Sequence, residues 1–191
     1  LWLIATFPSR HYDIEEYPAV KTYLLSFGIE RLEQTGKKYV INGEEVKARK
    51  KTNNKWFETQ DSINYWQDFL KPKIIWKRVG SILRFGYNDN GALGLDSTCF
   101  ATGKQIEYLC CVLNSPMGHY LLKDSPKTGT GDLLISVQAV EPIKVPLINE
   151  EENSKFKNLF KTHQENEINR EVYELYNLSE EEIKFIMDNY Y

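Results

Sequence analysis

Between positions 47 and 55, Lys47, Arg49, Lys50, Lys51, Asn53, Asn54 and Lys55 combine the two kinds of side chain that read a polyanion. Lysine and arginine neutralise phosphates. Arginine also pairs bidentately with guanine, and asparagine does the same with adenine in the major groove. A second basic set follows at Lys73, Lys77, Arg78 and Arg84, interleaved with Ile74, Ile75 and Trp76. Both sets lie in residues 37–84, where twelve Lys/Arg face five Asp/Glu, a charge of +7 in a chain whose total is −3. So steep a split gives two surfaces opposite roles, and the basic one is expected to face duplex DNA. Phosphate contacts would set position and base-edge contacts would set identity.

Other chemistry is sparser. Glu45-Val46-Lys47 has the Glu-x-Lys spacing of many metal-dependent nucleases, whose paired carboxylates hold Mg²⁺ while the lysine assists water attack. No Pro-Asp partner precedes it, so a free-standing Mg-dependent nuclease is kept only as an alternative. A protein-interaction module whose basic face binds an acidic partner is the other. His11, His119 and His163 are scattered without metal-ligand spacing. The three cysteines, two adjacent at Cys110-Cys111, form no C-x-x-C and read as reduced packing residues. No catalytic or metal-binding residue is assigned.

The elements that must position the basic sets can be read from periodicity. With 191 residues and 41% hydrophobic composition, the chain suits one domain, or one domain with an appendage. No run reaches the ~18–20 apolar residues of a membrane span, and no signal peptide opens the chain, so a cytoplasmic protein is expected. The opening Leu1-Trp2-Leu3-Ile4 lacks a Met and reads as the interior of a longer polypeptide. A helix is expected from Pro18, burying Val20, Tyr23, Leu24 and Phe27 and stopping near Gly36. Asn42-Gly43 marks a hairpin between Tyr39-Val40-Ile41 and Val46. Strands are expected in 74–79, 82–85, 95–100, 133–140 and 143–148.

Ile106, Leu109, Cys110, Leu113, Met117, Tyr120 and Leu121 recur at helical spacing, interrupted at Asn114-Ser115-Pro116. From Glu150 onward eleven acids face five bases, with two apolar stripes and a Ser179-x-x-Glu182 capping box. The expectation is therefore an α+β fold. A mixed, mostly antiparallel sheet with packed helices would occupy residues 1–148, followed by a separable C-terminal helical tail, 149–191, acting as spacer or docking helices.

Four groups of residues recur in a familiar order. They are Trp56-Phe57-Glu58 with Phe69 and Lys73-Ile74-Ile75, then Tyr108-Leu109 with Leu113-Asn114-Ser115, then Ile143-Lys144-Val145-Pro146. The last comprises Glu167-Ile168-Asn169, Val172-Tyr173-Glu174-Leu175-Tyr176-Asn177-Leu178 and Glu180-Glu181-Glu182-Ile183. From about Ile4 to the C-terminus this order resembles the TaqI-like C-terminal specificity domain. That is the target recognition domain of adenine-specific DNA methyltransferases, including type II restriction–modification enzymes.

The resemblance implies a segment that recognises double-stranded DNA for an upstream adenine-N6 methyltransferase domain of the same polypeptide. In the parent chain it implies S-adenosylmethionine, and Mg²⁺ where an endonuclease is also fused. This sequence has no Asn-Pro-Pro-Tyr motif and no glycine-rich strand-turn-helix opening, so the segment itself is expected to need no cofactor, catalyse nothing and contact no membrane.

Overall fold

The structure, a computed structural model, describes residues 2–191; Leu1, the first residue of the expected recognition domain, lies outside the described residues. The fold is α+β. Among the described residues, eight α-helices accompany three small sheets, every pairing antiparallel. The chain divides into two compact units between Trp66 and Gln67. The boundary expected at 148/149 is thus not where contacts part the chain.

In the first unit, Pro18 opens α1 (Pro18–Leu25), where its fixed φ and missing N–H suit a first helical turn. The expected inward face is only partly realised. Tyr23 and Phe27 are half-exposed and meet edge-on, ring centroids 5.2 Å apart. The helix is only two turns long, and Gly28, at φ +88°, redirects the chain into the short α2 (Ile29–Leu32) well before Gly36. The expected hairpin forms from β1 (Lys38–Ile41) and β2 (Glu44–Lys47). Asn42 and Gly43 both take positive φ, +52° and +85°, as a type I′ turn requires. Alternation then buries Val46 and turns Lys38, Val40, Glu45 and Lys47 outward.

The second unit is built around one helix. Its sheet has the order β5-β3-β6, with β3 (Lys73–Lys77) between β5 (Phe85–Asn88) and β6 (Thr98–Thr102). A bend at Arg78 carries the chain out of that sheet into β4 (Val79–Gly80), which pairs with β7 (Leu133–Leu134). Residues 82–84 are loop rather than strand. The expected strand at 133–140 ends early, because Ser136 starts the short α5 (Val137–Val140). Residues 143–148 form no strand. Pro142 and Pro146 cannot donate to a ladder, and the carbonyls of Lys144 and Pro146 accept from the hydroxyls of Tyr176 (3.1 Å) and Tyr108 (3.0 Å).

The expected break in the amphipathic helix yields α3 (Ile106–Asn114) and α4 (Pro116–Leu121), with the Ser115 hydroxyl accepting from Gly118 N to cap the second. α3 is apolar nearly all round, which in a soluble protein means burial on both faces. Ile106, Cys110 and Leu113 meet Ile74, Trp76 and Phe85 of the sheet. Tyr108, Cys111 and Val112 meet Phe156, Val172 and Ile186. Those last three belong to α6 (Glu150–Lys161), α7 (Glu165–Leu175) and α8 (Glu180–Tyr190). The helical tail therefore exists but is not separable, since it covers half of the central helix. Capping boxes at Asn149/Glu152 and Ser179/Glu182 fix the starts of α6 and α8.

Candidate nucleic-acid interface

The first basic set divides sharply by role. After β2 the chain runs back along residues 33–37, held by Ala48 N to Lys37 O (2.9 Å), Gly36 N to Arg49 O (2.8 Å) and Thr52 N to Gln34 O (3.1 Å). Arg49 sits half-buried at the centre of this crossing. Its guanidinium donates to the carbonyls of Leu32 (Nε, 2.8 Å), Glu58 (Nη1, 2.8 Å) and Trp56. Burial lowers its pKa from the usual arginine value. Expected to read bases, Arg49 instead holds the Trp56-Phe57-Glu58 turn together. Gln34, buried, completes the clamp by donating to Lys55 O and Glu58 O, both at 2.9 Å. Asn54 is also committed, its amide donating to Thr59 O (3.0 Å) and Gln60 O (2.9 Å). These two residues are withdrawn from the expected contact set.

Lys47, Lys50, Lys51, Asn53 and Lys55 are exposed. The Lys55 ammonium lies 3.4 Å from Tyr12 O and 5.5 Å from the centre of the Phe57 ring, so it is tethered to its own unit but open to solvent. The hairpin register adds a residue that sequence reading missed. Lys38 lies directly opposite Lys47. Like charges so placed repel, and Glu45 relieves the pair only through Lys38, at 2.8 Å. The Asn42-Gly43 turn alone fixes that pairing, so the signal was present in the sequence. The same ion pair occupies the carboxylate of the Glu-x-Lys motif.

In the second unit, Lys73 is fully buried, its ammonium donating to Phe69 O at 2.6 Å. Burial lowers its pKa, and nearby Asp89 partly offsets that. It cannot reach a phosphate without local unfolding, so its expected DNA contact is also withdrawn. Lys73 shares a face of β3 with exposed Lys77, opposite buried Ile74 and Trp76, but at its own end of the strand that face is covered as well, and Phe69 O takes its ammonium there.

Lys77 and Arg84 do come together. They line one cleft of about 420 Å³ at the far end of β3, with Ser81 and Ile82 on its rim and Trp76, Phe85 and Ile135 beneath. The floor is rigid: the Trp76 indole N–H donates to Ile135 O at 2.8 Å, and the Trp76 and Phe85 rings are 5.6 Å apart. Arg78 stands beside it with its backbone fixed on both sides, N to Ser97 O (3.0 Å) and O from Ile135 N (2.8 Å), and its side chain exposed. Among the described residues the ion pairs engage none of Lys77, Arg78 and Arg84. Residues 71–88 contain no Asp or Glu at all. An anion at this end of the sheet meets three cations and no carboxylate of the same segment.

The remaining motifs are structural. Asn114 donates to Phe85 O (2.8 Å) and accepts from Phe85 N (3.0 Å), tying the end of α3 to β5. Burial pushes the Cys110 thiol up to about 11 and the Cys111 thiol up to about 12, the opposite of an activated nucleophile. His119 rests its Nδ1 3.3 Å from Tyr190 O, and burial lowers its pKa. No helix among the described residues is long and apolar enough to cross a membrane. No protein-family model and no curated protein matches the chain.

Proposed function

We propose that this chain is a sequence-specific recognition module for double-stranded DNA, serving an adenine-N6 methyltransferase domain upstream in the same polypeptide within a restriction–modification enzyme. The single observation that carries this is the acid-free stretch 71–88, which ends in Lys77, Arg78 and Arg84 exposed and unpaired around a cleft with a rigid aromatic floor. The lysines flanking the hairpin of the first unit supply further phosphate-binding charge. Lysines of this kind position a duplex without reading it, whereas the Arg78 and Arg84 guanidinium groups can pair with guanine edges.

In this reading the module neither methylates nor cleaves. S-adenosylmethionine, and Mg²⁺ where an endonuclease is fused, belong to other parts of the parent, which would act in the cytoplasm. The ordered motifs from Trp56 to Ile183 support the reading through their resemblance, and their residues act within each unit: Arg49 donates to the carbonyls of Trp56 and Glu58 in the first, and the hydroxyls of Tyr108 and Tyr176 donate to the carbonyls of Pro146 and Lys144 in the second.

The test is selection from a pool of random duplexes by the purified chain, followed by sequencing. One enriched short sequence containing adenine is expected. Recovery of the unselected pool, together with binding to acidic protein ligands at the same salt, would instead make the basic face a protein-docking surface.

A further inference from the structure

Arg49 spends its donors inside the first unit, whereas Arg10 of the same unit keeps its own open. Arg10 is exposed, and its Cζ lies 4.1 Å from the centre of the Trp66 ring and 4.9 Å from that of Tyr12. Among the described residues no ion pair or side-chain hydrogen bond engages the guanidinium. Two aromatic faces hold the cation in place while its N–H donors stay available.

The backbone on both sides is bent to make this contact. Pro8–Arg10 is a single 3₁₀ turn closed by His11 N to Pro8 O at 3.1 Å, and His11, at φ +51°, turns the chain back so that Tyr12 meets Arg10. Opposite it, Ile63 has φ +48°, a left-handed conformation that a β-branched residue resists. Three bonds hold this arrangement: Ser9 Oγ to Ile63 O (3.1 Å), Trp66 N to Ile63 O (3.1 Å) and Ser9 N to Ser62 O (3.4 Å). The same bonds bring the Trp66 indole to Arg10. Strain maintained by its surroundings marks a segment where the position of a side chain matters.

The charge decides what kind of acceptor fits. Residues 6–17 and 59–66 carry Asp13, Glu15, Glu16 and Asp61 with Arg10 as their one Lys or Arg. Lys21 reaches in to Glu15 at 2.7 Å, and the Lys55 ammonium lies 3.4 Å from Tyr12 O. Four carboxylates therefore stand against three cations, and a phosphate or carboxylate gains little here. An uncharged pair of in-plane acceptors suits a fork of N–H donors better, and on duplex DNA that pair is O6 and N7 of guanine in the major groove.

We infer that Arg10 is a guanine-reading residue of the module, with Trp66 and Tyr12 as positioning residues for its guanidinium. This rests on the recognition function proposed above and names one base that the first unit reads. The exposed Lys47, Lys50 and Lys51 of that unit supply the phosphate contacts that Arg10 does not.

Selection from random duplexes by the purified chain, run for wild type, Arg10→Ala, Arg10→Lys and Trp66→Leu, tests the assignment. Wild type should enrich a sequence containing a guanine that Arg10→Ala no longer demands. Preference at that one position should fall about ten- to a hundredfold, with the other positions unchanged. Arg10→Lys should lose it nearly as far, since an ammonium keeps the charge without the fork. Trp66→Leu should relax the same position to a lesser degree. The salt slope of Arg10→Ala should match wild type, because no phosphate loses its partner. Neither Arg10 variant removes a hydrogen bond of the turn, so both report on binding and not on folding. Preferences kept at every position in Arg10→Ala overturn the inference and leave the recognition function standing. So does a uniform loss of affinity with a slope shallower by about one, the mark of a phosphate contact. Failure of wild type to enrich any sequence removes the recognition function and this inference with it.

Discussion

Replacing Arg49 by alanine should unfold part of the first unit, not relax a binding preference. The guanidinium spans three carbonyls, of Leu32, Trp56 and Glu58, that no other side chain reaches together. With about 1 kcal/mol net for each bond at a half-buried site, removing all three costs about 3 kcal/mol. At 1.4 kcal/mol per tenfold, the crossing of residues 33–37 and 48–52 should open about 100-fold more often. Arg49→Lys keeps the charge but reaches one carbonyl, so it should recover about a third of the loss. Hydrogen exchange at the amides of Gly36, Ala48 and Thr52 reads this directly, because each is bonded across the crossing. Lys50→Ala is the control, with an expected change within about 0.5 kcal/mol. The reasoning is refuted if Arg49→Ala exchanges like wild type while changing which DNA sequences are bound.

Three further outcomes follow from burial. Lys73→Met should leave DNA affinity within about twofold of wild type, since desolvating a lysine ammonium is costly and its charge faces no solvent; a loss exceeding that of Lys77→Ala in a binding titration would contradict the buried placement. Gly118→Ala should cost at least about 2 kcal/mol in urea denaturation, because a Cβ there would lie 2.6 Å from Leu113 O and closer still to Val112 O. The thiols of Cys110 and Cys111 are raised from their ordinary 9.0, so the unfolded chain releases those protons first. The stability they contribute is complete below about pH 9 and declines as pH rises toward 11–12, by up to about 1.4 kcal/mol per thiol per pH unit. Thermal melts should therefore show a steeper alkaline decline for wild type than for Cys110→Ala/Cys111→Ala, and equal declines would count against burial as the cause.

Much of the framework was legible before any coordinates. Asn42-Gly43 dictated the hairpin, Ser115-Pro116 the restart of the central helix, and Ser179 with Glu182 the cap of α8. What escaped sequence reading has physical causes. An arginine or asparagine in a basic run looks the same whether it faces a base edge or a neighbouring carbonyl, and only the return of the chain along 33–37 puts carbonyls within reach of Arg49. Lys73 was misplaced because strand alternation alone cannot tell a one-sided strand from one covered on both faces. The tail looked separable by charge, yet the apolar residues on both sides of α3, Ile106 and Cys110 against Cys111 and Val112, already required a second cover. Residues 143–148 looked like a strand, but two prolines and two tyrosine hydroxyls dispose of their hydrogen bonds otherwise.

The salt dependence of duplex binding, measured for wild type and for Lys77→Ala/Arg84→Ala, bears most directly on whether the exposed cations beside β3 engage phosphates. Each released counterion contributes about 0.9 to the slope of log affinity against log salt, so the double variant should be shallower by about two while its folding stability is unchanged. An identical slope in both proteins, or duplex binding indifferent to salt, would contradict the account.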